Sequence, residues 1–130
     1  MSTQPHDASG LETFPNPMGD NVIDLEVPEF TCVCPKTGQP DFATIRIRYV
    51  PNELCVESKS LKLYMWHFRE RGAFHEAVTH EIFSALKDLL EPKWMQVLGV
   101  FNVRGGIYEK VLCEYRGPAY QDGHSNAFVL

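Results

Sequence analysis

A strict alternation of apolar and polar side chains predicts the first β-strand of the chain. In the stretch DFATIRIRYV, residues 41–50, aliphatic or aromatic side chains occupy every second position from Ala43 to Tyr49, and this period is typical of a half-buried strand. Pro51 and Asn52 predict a turn. The weaker alternation of residues 53–58 predicts a second strand that pairs antiparallel with the first.

The period changes to that of a helix in the middle of the chain. A first helix is expected between residues 60 and 72, because apolar side chains recur there at helical spacing, at Leu61, Tyr64, Met65 and Phe68. A longer apolar stripe over residues 74–90, followed by Pro92, predicts a second helix. The stretches MQVLGVFNV and IYEKVLCEY, joined by an RGG turn, predict a final hairpin. The predicted order is ββααββ, which belongs to the α+β class.

Composition is consistent with one folded domain. The chain has 130 residues, of which 44% are hydrophobic and 22% charged, enough to bury a single core. Residues 1–25 are rich in Pro, Gly, Ser, Asp and Asn without periodicity, so we expect a flexible N-terminal segment or a strap over a neighbour. Residues 26–130 are expected to form the single domain.

Charge and hydropathy argue against several classes of partner. A formal net charge of −5 disfavours a nucleic-acid binder, whose affinity comes largely from clustered Lys and Arg. The N-terminus has neither the basic nor the apolar region of an export signal, and the chain contains no run of 18 apolar residues. We therefore expect no membrane association and a cytoplasmic location.

Metal and dinucleotide motifs are absent from the sequence. The four cysteines are expected to be free thiols, and the C-x-C of residues 32–34 differs from the C-x-x-C of zinc ribbons. His75 and His80 are five positions apart, whereas two zinc ligands on one helix face need a spacing of four. Neither G-x-G-x-x-G nor a P-loop motif is present. No metal site is expected.

The segment CPKTGQPD, residues 34–41, places a thiol and a carboxylate on one stiff loop. Two prolines and Gly38 favour a single defined turn, which would hold Cys34 and Asp41 in fixed positions. The loop alone leaves two interpretations open. Cys34 is either a reactive thiolate or a small apolar packing residue.

This loop, together with ESKSLKLY at residues 57–64 and FHE at residues 74–76, resembles the NADPH-dependent 7-cyano-7-deazaguanine reductases, the nitrile reductases of queuosine biosynthesis. The family signature is E-[SL]-K-[SA]-x-K-[LY]-[YFW], and residues 57–64 fill every fixed position. The resemblance implies the tunnelling fold shared with GTP cyclohydrolase I. In that fold ββααββ subunits associate into β-barrels, here homo-oligomers of pentamer rings pairing to a decamer, with sites between chains.

The resemblance also implies a reaction and its residues. Two NADPH per turnover reduce the nitrile to an aminomethyl group, with no metal required. Cys34 would attack the nitrile carbon to give a covalent thioimide, and Asp41 would protonate the nitrogen. The substrate-binding positions are Val56, Glu57, Ser58, His75 and Glu76. The cofactor-binding positions, suited to phosphate, are Lys59, Ser60, Lys62, Arg104 and Gly105.

Structural interpretations remain for several of these residues. Two lysines at i, i+3 are commonly surface charge, and a glutamate in the first turn of a helix complements its dipole. Cys32, Cys55 and Cys113 fit core thiols better than nucleophiles. The alternative functions are the related amidinotransferase of archaeosine formation, which lacks the lysine-bearing signature, and a non-catalytic purine-binding or structural module.

Overall fold

The computed structural model describes residues 8–118, 120 and 126–130. The elements are β1 (Thr13–Pro15), β2 (Ile23–Val33), β3 (Pro40–Val50), β4 (Leu54–Val56), α1 (Ser58–Trp66), α2 (His75–Leu90), β5 (Trp94–Arg104) and β6 (Ile107–Arg116). A short 3₁₀ helix, His67–Glu70, continues α1. The two α-helices accompany a four-stranded antiparallel sheet, in the order β2-β3-β5-β6, and a two-stranded sheet of β1 and β4.

The main elements follow the predicted ββααββ order, but the first hairpin is formed by different residues. β3 pairs with β2, whereas the predicted partner, residues 53–58, contributes only the short strand β4 on β1. The prediction that β3 and the 53–58 segment form a hairpin was therefore wrong. A register shift between Val27 and Phe30 interrupts the alternation of apolar and polar residues in β2. Apolar side chains occupy odd-numbered positions before this bulge and even-numbered positions after it, so the sequence shows no continuous strand pattern.

The N-terminal segment contributes strands to the fold. β1 lies within residues 1–25, and β2 begins at Ile23, so the expected domain boundary at residue 26 falls inside a strand. Residues 8–25 thus include a strap that runs along β4 of its own chain. Residues 1–7 lie outside the described part of the chain.

The core lies between the helices and one face of the large sheet. Alternate residues of β3 point into it, with Ile45 and Ile47 fully buried. The apolar stripe of α2 covers them through Val78, Ile82 and Leu86. Burial of such side chains stabilises the fold by about 1.5–3 kcal/mol each, so this stripe accounts for the position of α2 on the sheet.

Helix α2 approaches β5 closely at a glycine. A β-carbon at Gly99 would lie 2.6 Å from Thr79 Oγ1 of α2 and 2.8 Å from Phe101 Cε2. Any side chain at this position would have to push these two groups aside. The close approach brings the first turn of α2 over the end of β5, which is where the candidate site lies.

Among the residues that the structure describes, no helix has both the length and the apolarity needed to cross a bilayer.

Candidate active site

The CPKTGQPD segment forms the hairpin loop between β2 and β3. The Cys34 N–H donates to the Gln39 carbonyl at 2.8 Å, and the Gly38 N–H donates to the Cys34 carbonyl at 2.9 Å. Gly38 has a φ of 74°, a left-handed conformation that other residues adopt only with strain. The stiff turn predicted from the sequence is therefore present and fixes the backbone of Cys34.

Hydrogen bonds on this loop favour a thiolate at Cys34. The Thr37 hydroxyl, followed by the backbone N–H groups of Thr37 and Lys36, lowers the pKa of the Cys34 thiol, because donors stabilise the charged sulfur. Burial has the opposite effect on Cys32, whose pKa is raised to about 12. Burial also raises the pKa of Cys113. Cys34 is thus the thiol whose surroundings suit nucleophilic attack.

Asp41 lies at the other end of this loop, on β3, and is held on both carboxylate oxygens. Its side chain is only 7% exposed. Oδ1 accepts a hydrogen bond from the Arg104 guanidinium, and Oδ2 lies 3.2 Å from His75 Nε2. Arg104 also donates to Thr37 Oγ1 at 3.0 Å and to the Gln39 side chain. Arg104 therefore links the acid to the thiol-bearing loop.

His75 is oriented by contacts to its ring and to its backbone carbonyl. Its ring stacks on Phe101 with centroids 3.9 Å apart and planes inclined by 8°. Its Nδ1 lies 2.6 Å from Glu109 Oε1 of β6, and its carbonyl accepts a hydrogen bond from the Thr79 hydroxyl at 2.8 Å. Sequence reasoning missed Glu109 and Phe101. The alternating pattern of the last hairpin placed both on strands, but no local signal connected them to α2.

One open cleft brings half of the predicted site residues together. It has a volume of about 590 Å³, within the range of small-molecule sites. Phe74 and Ile107, both exposed, supply apolar walls. The predicted residues that line it are Cys34, Asp41, His75, Glu76, Arg104 and Gly105. A thiolate, a buried carboxylate and an imidazole around one cavity can attack an electrophilic carbon and protonate its neighbour.

The other predicted residues lie elsewhere in the same chain. Ser58 and Lys62 line a second cleft, of about 510 Å³, between α1 and β2. Lys59 is exposed on α1, and Val56 is buried with its N–H donating to the Tyr49 hydroxyl at 3.1 Å. The two clefts have no lining residue in common. Within a single chain, the ESKSLKLY signature is therefore not part of the cleft that contains Cys34.

Glu57 and Ser60 cap α1. The Glu57 carboxylate accepts from the N–H groups of Lys59 at 2.7 Å and Ser60 at 2.8 Å, and these bonds lower the pKa of Glu57. The Ser60 hydroxyl donates to the Glu57 carbonyl and accepts from the Glu12 N–H. These two N–H groups are therefore occupied by Glu57 in this structure, and the cofactor-binding role expected for Lys59 and Ser60 stays a prediction.

The second cleft has side chains that fit an anionic nucleotide. Lys62 and Arg69 supply positive charge, and the exposed Trp66 ring offers a stacking surface over which the Arg69 guanidinium lies at 5.3 Å. Glu26 and Glu29 also line it, so phosphate groups would be restricted to the α1 side.

Similarity to known proteins decides the family. Residues 40–120 match the model of the family described as QueF-like protein. The chain belongs to this family. The resemblance found in the sequence is thus confirmed, and the matched residues include β3, both helices and the final hairpin.

Named relatives of this family cover nearly the whole chain. A protein of Alkalilimnicola ehrlichii is 60% identical over 92% of this chain and 93% of its own length. One of Nitrosococcus oceani is 54% identical with the same coverage, and one of Thioalkalivibrio sulfidiphilus is 55% identical over 93% of this chain and 94% of its own length. All three are named NADPH-dependent 7-cyano-7-deazaguanine reductase.

A solved structure supports the predicted fold class. The archaeosine synthase QueF-Like in its apo form superposes with a TM-score of 0.69 over 74% of this chain and 94% of its own, at 20% sequence identity. At that identity the likeness concerns the fold alone. The predicted tunnelling fold is confirmed.

Proposed function

We propose that this protein reduces the nitrile of 7-cyano-7-deazaguanine to the aminomethyl group of 7-aminomethyl-7-deazaguanine, in the biosynthesis of queuosine in tRNA. The relatives bearing the reductase name are 54–60% identical over nearly the whole chain. The observation that carries the proposal is one cleft that holds Cys34 and Asp41 together. The balanced reaction is R–C≡N + 2 NADPH + 2 H⁺ → R–CH₂–NH₂ + 2 NADP⁺.

Cys34 is proposed to act first, through a covalent thioimide. Its thiolate sulfur bonds to the nitrile carbon, one C–N π bond breaks, and the proton that left the thiol reaches the nitrogen by way of Asp41. This converts a poor hydride acceptor into a C=N group. The lowered pKa of Cys34 supports this role, because the thiolate is the nucleophilic form. The C–S bond breaks again after the first reduction, which returns the thiol.

Asp41 is proposed to pass protons to the nitrogen. It lies in the cleft with the thiol and is nearly sealed from solvent, so that it acts on a bound substrate rather than on water. Its two oxygens are oriented by Arg104 and His75. A buried, oriented carboxyl group suits general acid catalysis.

Substrate recognition is proposed for His75 and Glu76, at the start of α2. Glu76 is exposed at the cleft, and its pKa is lowered mainly by its own backbone N–H, then by contacts with the Glu109 side chain and the charge of His75. The ionised carboxylate accepts hydrogen bonds from the ring N–H and exocyclic amine of a deazaguanine.

NADPH supplies hydride when bound. We propose that Lys62 holds its phosphates at the α1 cleft, where Arg69 and Trp66 add charge and a stacking surface. Lys59 and Ser60 do not line this cleft, and Ser60 is bonded to Glu57 and Glu12, so their cofactor roles stay predictions. Arg104 and Gly105 form the turn at the Cys34 cleft, and the partner of Arg104 in this structure is Asp41. A cofactor role for Arg104 stays a prediction.

A second chain is proposed to complete the site. Val56, Glu57, Ser58 and the lysines of the signature do not line the Cys34 cleft of their own chain. β2 and β6 are the edges of the large sheet, and such edges are available to pair with neighbouring subunits. The pentamer rings, the decamer and the cytoplasmic location remain predictions.

Two measurements on one sample test the function. The wild-type protein is mixed with NADPH and the nitrile while cofactor fluorescence is followed, and intact mass is recorded after incubation with the nitrile alone. We expect NADPH consumption and a substrate-sized adduct on Cys34, both lost in Cys34→Ala and both kept in Cys113→Ala. Cys113 lies outside both clefts and serves as a matched control.

The alternatives give different results in the same assays. An amidinotransferase would form the adduct and transfer nitrogen without consuming NADPH. A non-catalytic module would form no adduct, and either result would refute the proposed reduction.

A further inference from the structure

A carboxylate–imidazole–carboxylate chain runs from the buried acid to the mouth of the Cys34 cleft. Asp41 of β3 faces Nε2 of His75, on α2, at 3.2 Å, and Glu109 of β6 faces Nδ1 at 2.6 Å. Three separate elements thus bring these groups together. Glu109 is the one member for which neither the sequence motifs nor the proposed function provides a role.

Both ring nitrogens of His75 face a carboxylate. A carboxylate oxygen only accepts hydrogen bonds, so the Nδ1–H of His75 donates to Glu109, and an Nε2–H can at the same time face Asp41. Arg104 lies beyond Asp41, and Glu76 contacts Glu109 on the solvent side. Each ring nitrogen of His75 thus has a carboxylate oxygen beside it that can accept its hydrogen.

Glu109 also orients the His75 ring. With Nδ1–H bonded to Glu109, and with the ring pinned against Phe101, Nε2 is the nitrogen directed at Asp41. The second partner of a histidine commonly sets its tautomer and orientation in this way. The side chain of His75 is 22% exposed, compared with 7% for Asp41, so His75 lies between the buried acid and solvent.

The proposed reaction needs such a connection. Each turnover adds two protons from solvent to the nitrogen, and Asp41 must regain a proton after each transfer. Its Oδ1 is occupied by Arg104, which leaves Oδ2, on the His75 side, as the oxygen that can take up the proton. A neighbouring imidazolium within 3.2 Å is close enough to supply that proton.

From this geometry we propose that Glu109 is a positioning residue, which holds His75 in the form that reprotonates Asp41 between the two reductions. The proposal rests on the proposed nitrile reduction. In each cycle the Nε2 proton moves to Asp41 Oδ2, and Asp41 then gives a proton to the substrate nitrogen. The ring is left neutral with its proton on Nδ1, and Nε2 takes up one proton from water in the open cleft.

Glu109→Gln isolates the charge of this residue. The amide oxygen can still accept from the His75 Nδ1–H, and the amide N–H₂ can donate to Glu76. The side chain therefore keeps its position but loses its negative charge. The matched control is Glu53→Gln, an exposed glutamate that lines neither cleft. We expect kcat of Glu109→Gln to fall about tenfold or more while KM changes less than about threefold. The solvent deuterium isotope effect on kcat should be larger than in the wild type.

The state of His75 gives a readout that is independent of turnover. In protein labelled with ¹⁵N-histidine at a fixed neutral pH, the two ring nitrogens have similar shifts when both carry hydrogen and widely different shifts when one does not. His75→Asn assigns the signals. Glu109→Gln should separate the two shifts of His75, and Glu53→Gln should leave them as in the wild type.

Rescue by a small carboxylate distinguishes a local role of the Glu109 side chain from an effect of the substitution on folding. Glu109→Ala opens space at the mouth of the cleft, and formate should restore part of its kcat in a saturable manner, whereas chloride at equal ionic strength should not. Wild-type kcat and unchanged His75 shifts in Glu109→Gln would overturn the role of Glu109 alone. Absence of both NADPH consumption and a Cys34 adduct in the wild type would instead refute the underlying function.

Discussion

Gly99→Ala is expected to disturb both the fold and the active site, because α2 crosses β5 at this residue. The new β-carbon would lie 2.6 Å from Thr79 Oγ1 and 2.8 Å from Phe101 Cε2, whereas ordinary contact begins at 3.4 Å. The hydroxyl must therefore retreat by about 0.8 Å and the ring by about 0.6 Å. Both movements affect His75, which accepts a hydrogen bond from Thr79 and stacks on Phe101.

The magnitude follows from three contributions. Overpacking a core commonly costs about 1–3 kcal/mol, and loss of the Thr79 hydrogen bond costs about 1 kcal/mol. Alanine in place of glycine in a strand returns about 0.5–1 kcal/mol. We expect a net loss of about 2 kcal/mol in the free energy of unfolding, which for a domain of this size corresponds to about 8 °C in Tm.

Thermal unfolding and steady-state kinetics measure the two effects. We expect kcat of Gly99→Ala to fall at a temperature where the variant is fully folded. Gly10→Ala is the matched control, because a β-carbon there meets no atom within 4 Å. Adding Thr79→Ala should restore part of the stability lost in Gly99→Ala, since one of the two colliding atoms is removed. A Tm and kcat equal to those of the wild type would refute the packing argument.

Three further predictions concern the loop and the core. Thr37→Val removes the largest cause of the lowered Cys34 pKa, so the pH profile of Cys34 alkylation by iodoacetamide should move to higher pH; an unchanged profile would contradict the assignment. Gly38→Ala, at a φ of 74°, should lower the free energy of unfolding by about 1–2 kcal/mol, measured in urea, with Gly10→Ala unaffected. Leu86→Ala empties a fully buried position of α2 and should cost about 2–5 kcal/mol in the same measurement; a loss below 1 kcal/mol would mean that this helix is not packed on the sheet as described.

The sequence by itself determined the elements whose signals are local. Helical and strand periods arise from the geometry of a single segment, so α1, α2, β3, β5 and β6 could be read from the spacing of apolar side chains. The CPKTGQPD loop was equally local, since its prolines and Gly38 restrict their own backbone. The family, and with it the roles expected for Cys34 and Asp41, followed from motifs of contiguous residues.

Strand pairing was decided only by the tertiary structure. β3 joined β2 instead of β4 because antiparallel pairing depends on register over a whole strand, and the bulge between Val27 and Phe30 concealed the alternation of β2. The same pairing made CPKTGQPD a hairpin loop. It therefore determined which strand presents the thiol beside the acid.

The contacts around the reactive groups could not be predicted from the sequence either. Glu109 contacts His75 from 34 positions away in the chain, and Arg104 reaches Asp41 from the far end of β5. Glu57 is a helix cap here, although its motif indicates substrate binding. Such contacts depend on where the packed core places each element, because side chains from distant segments meet only after the helices have covered the sheet.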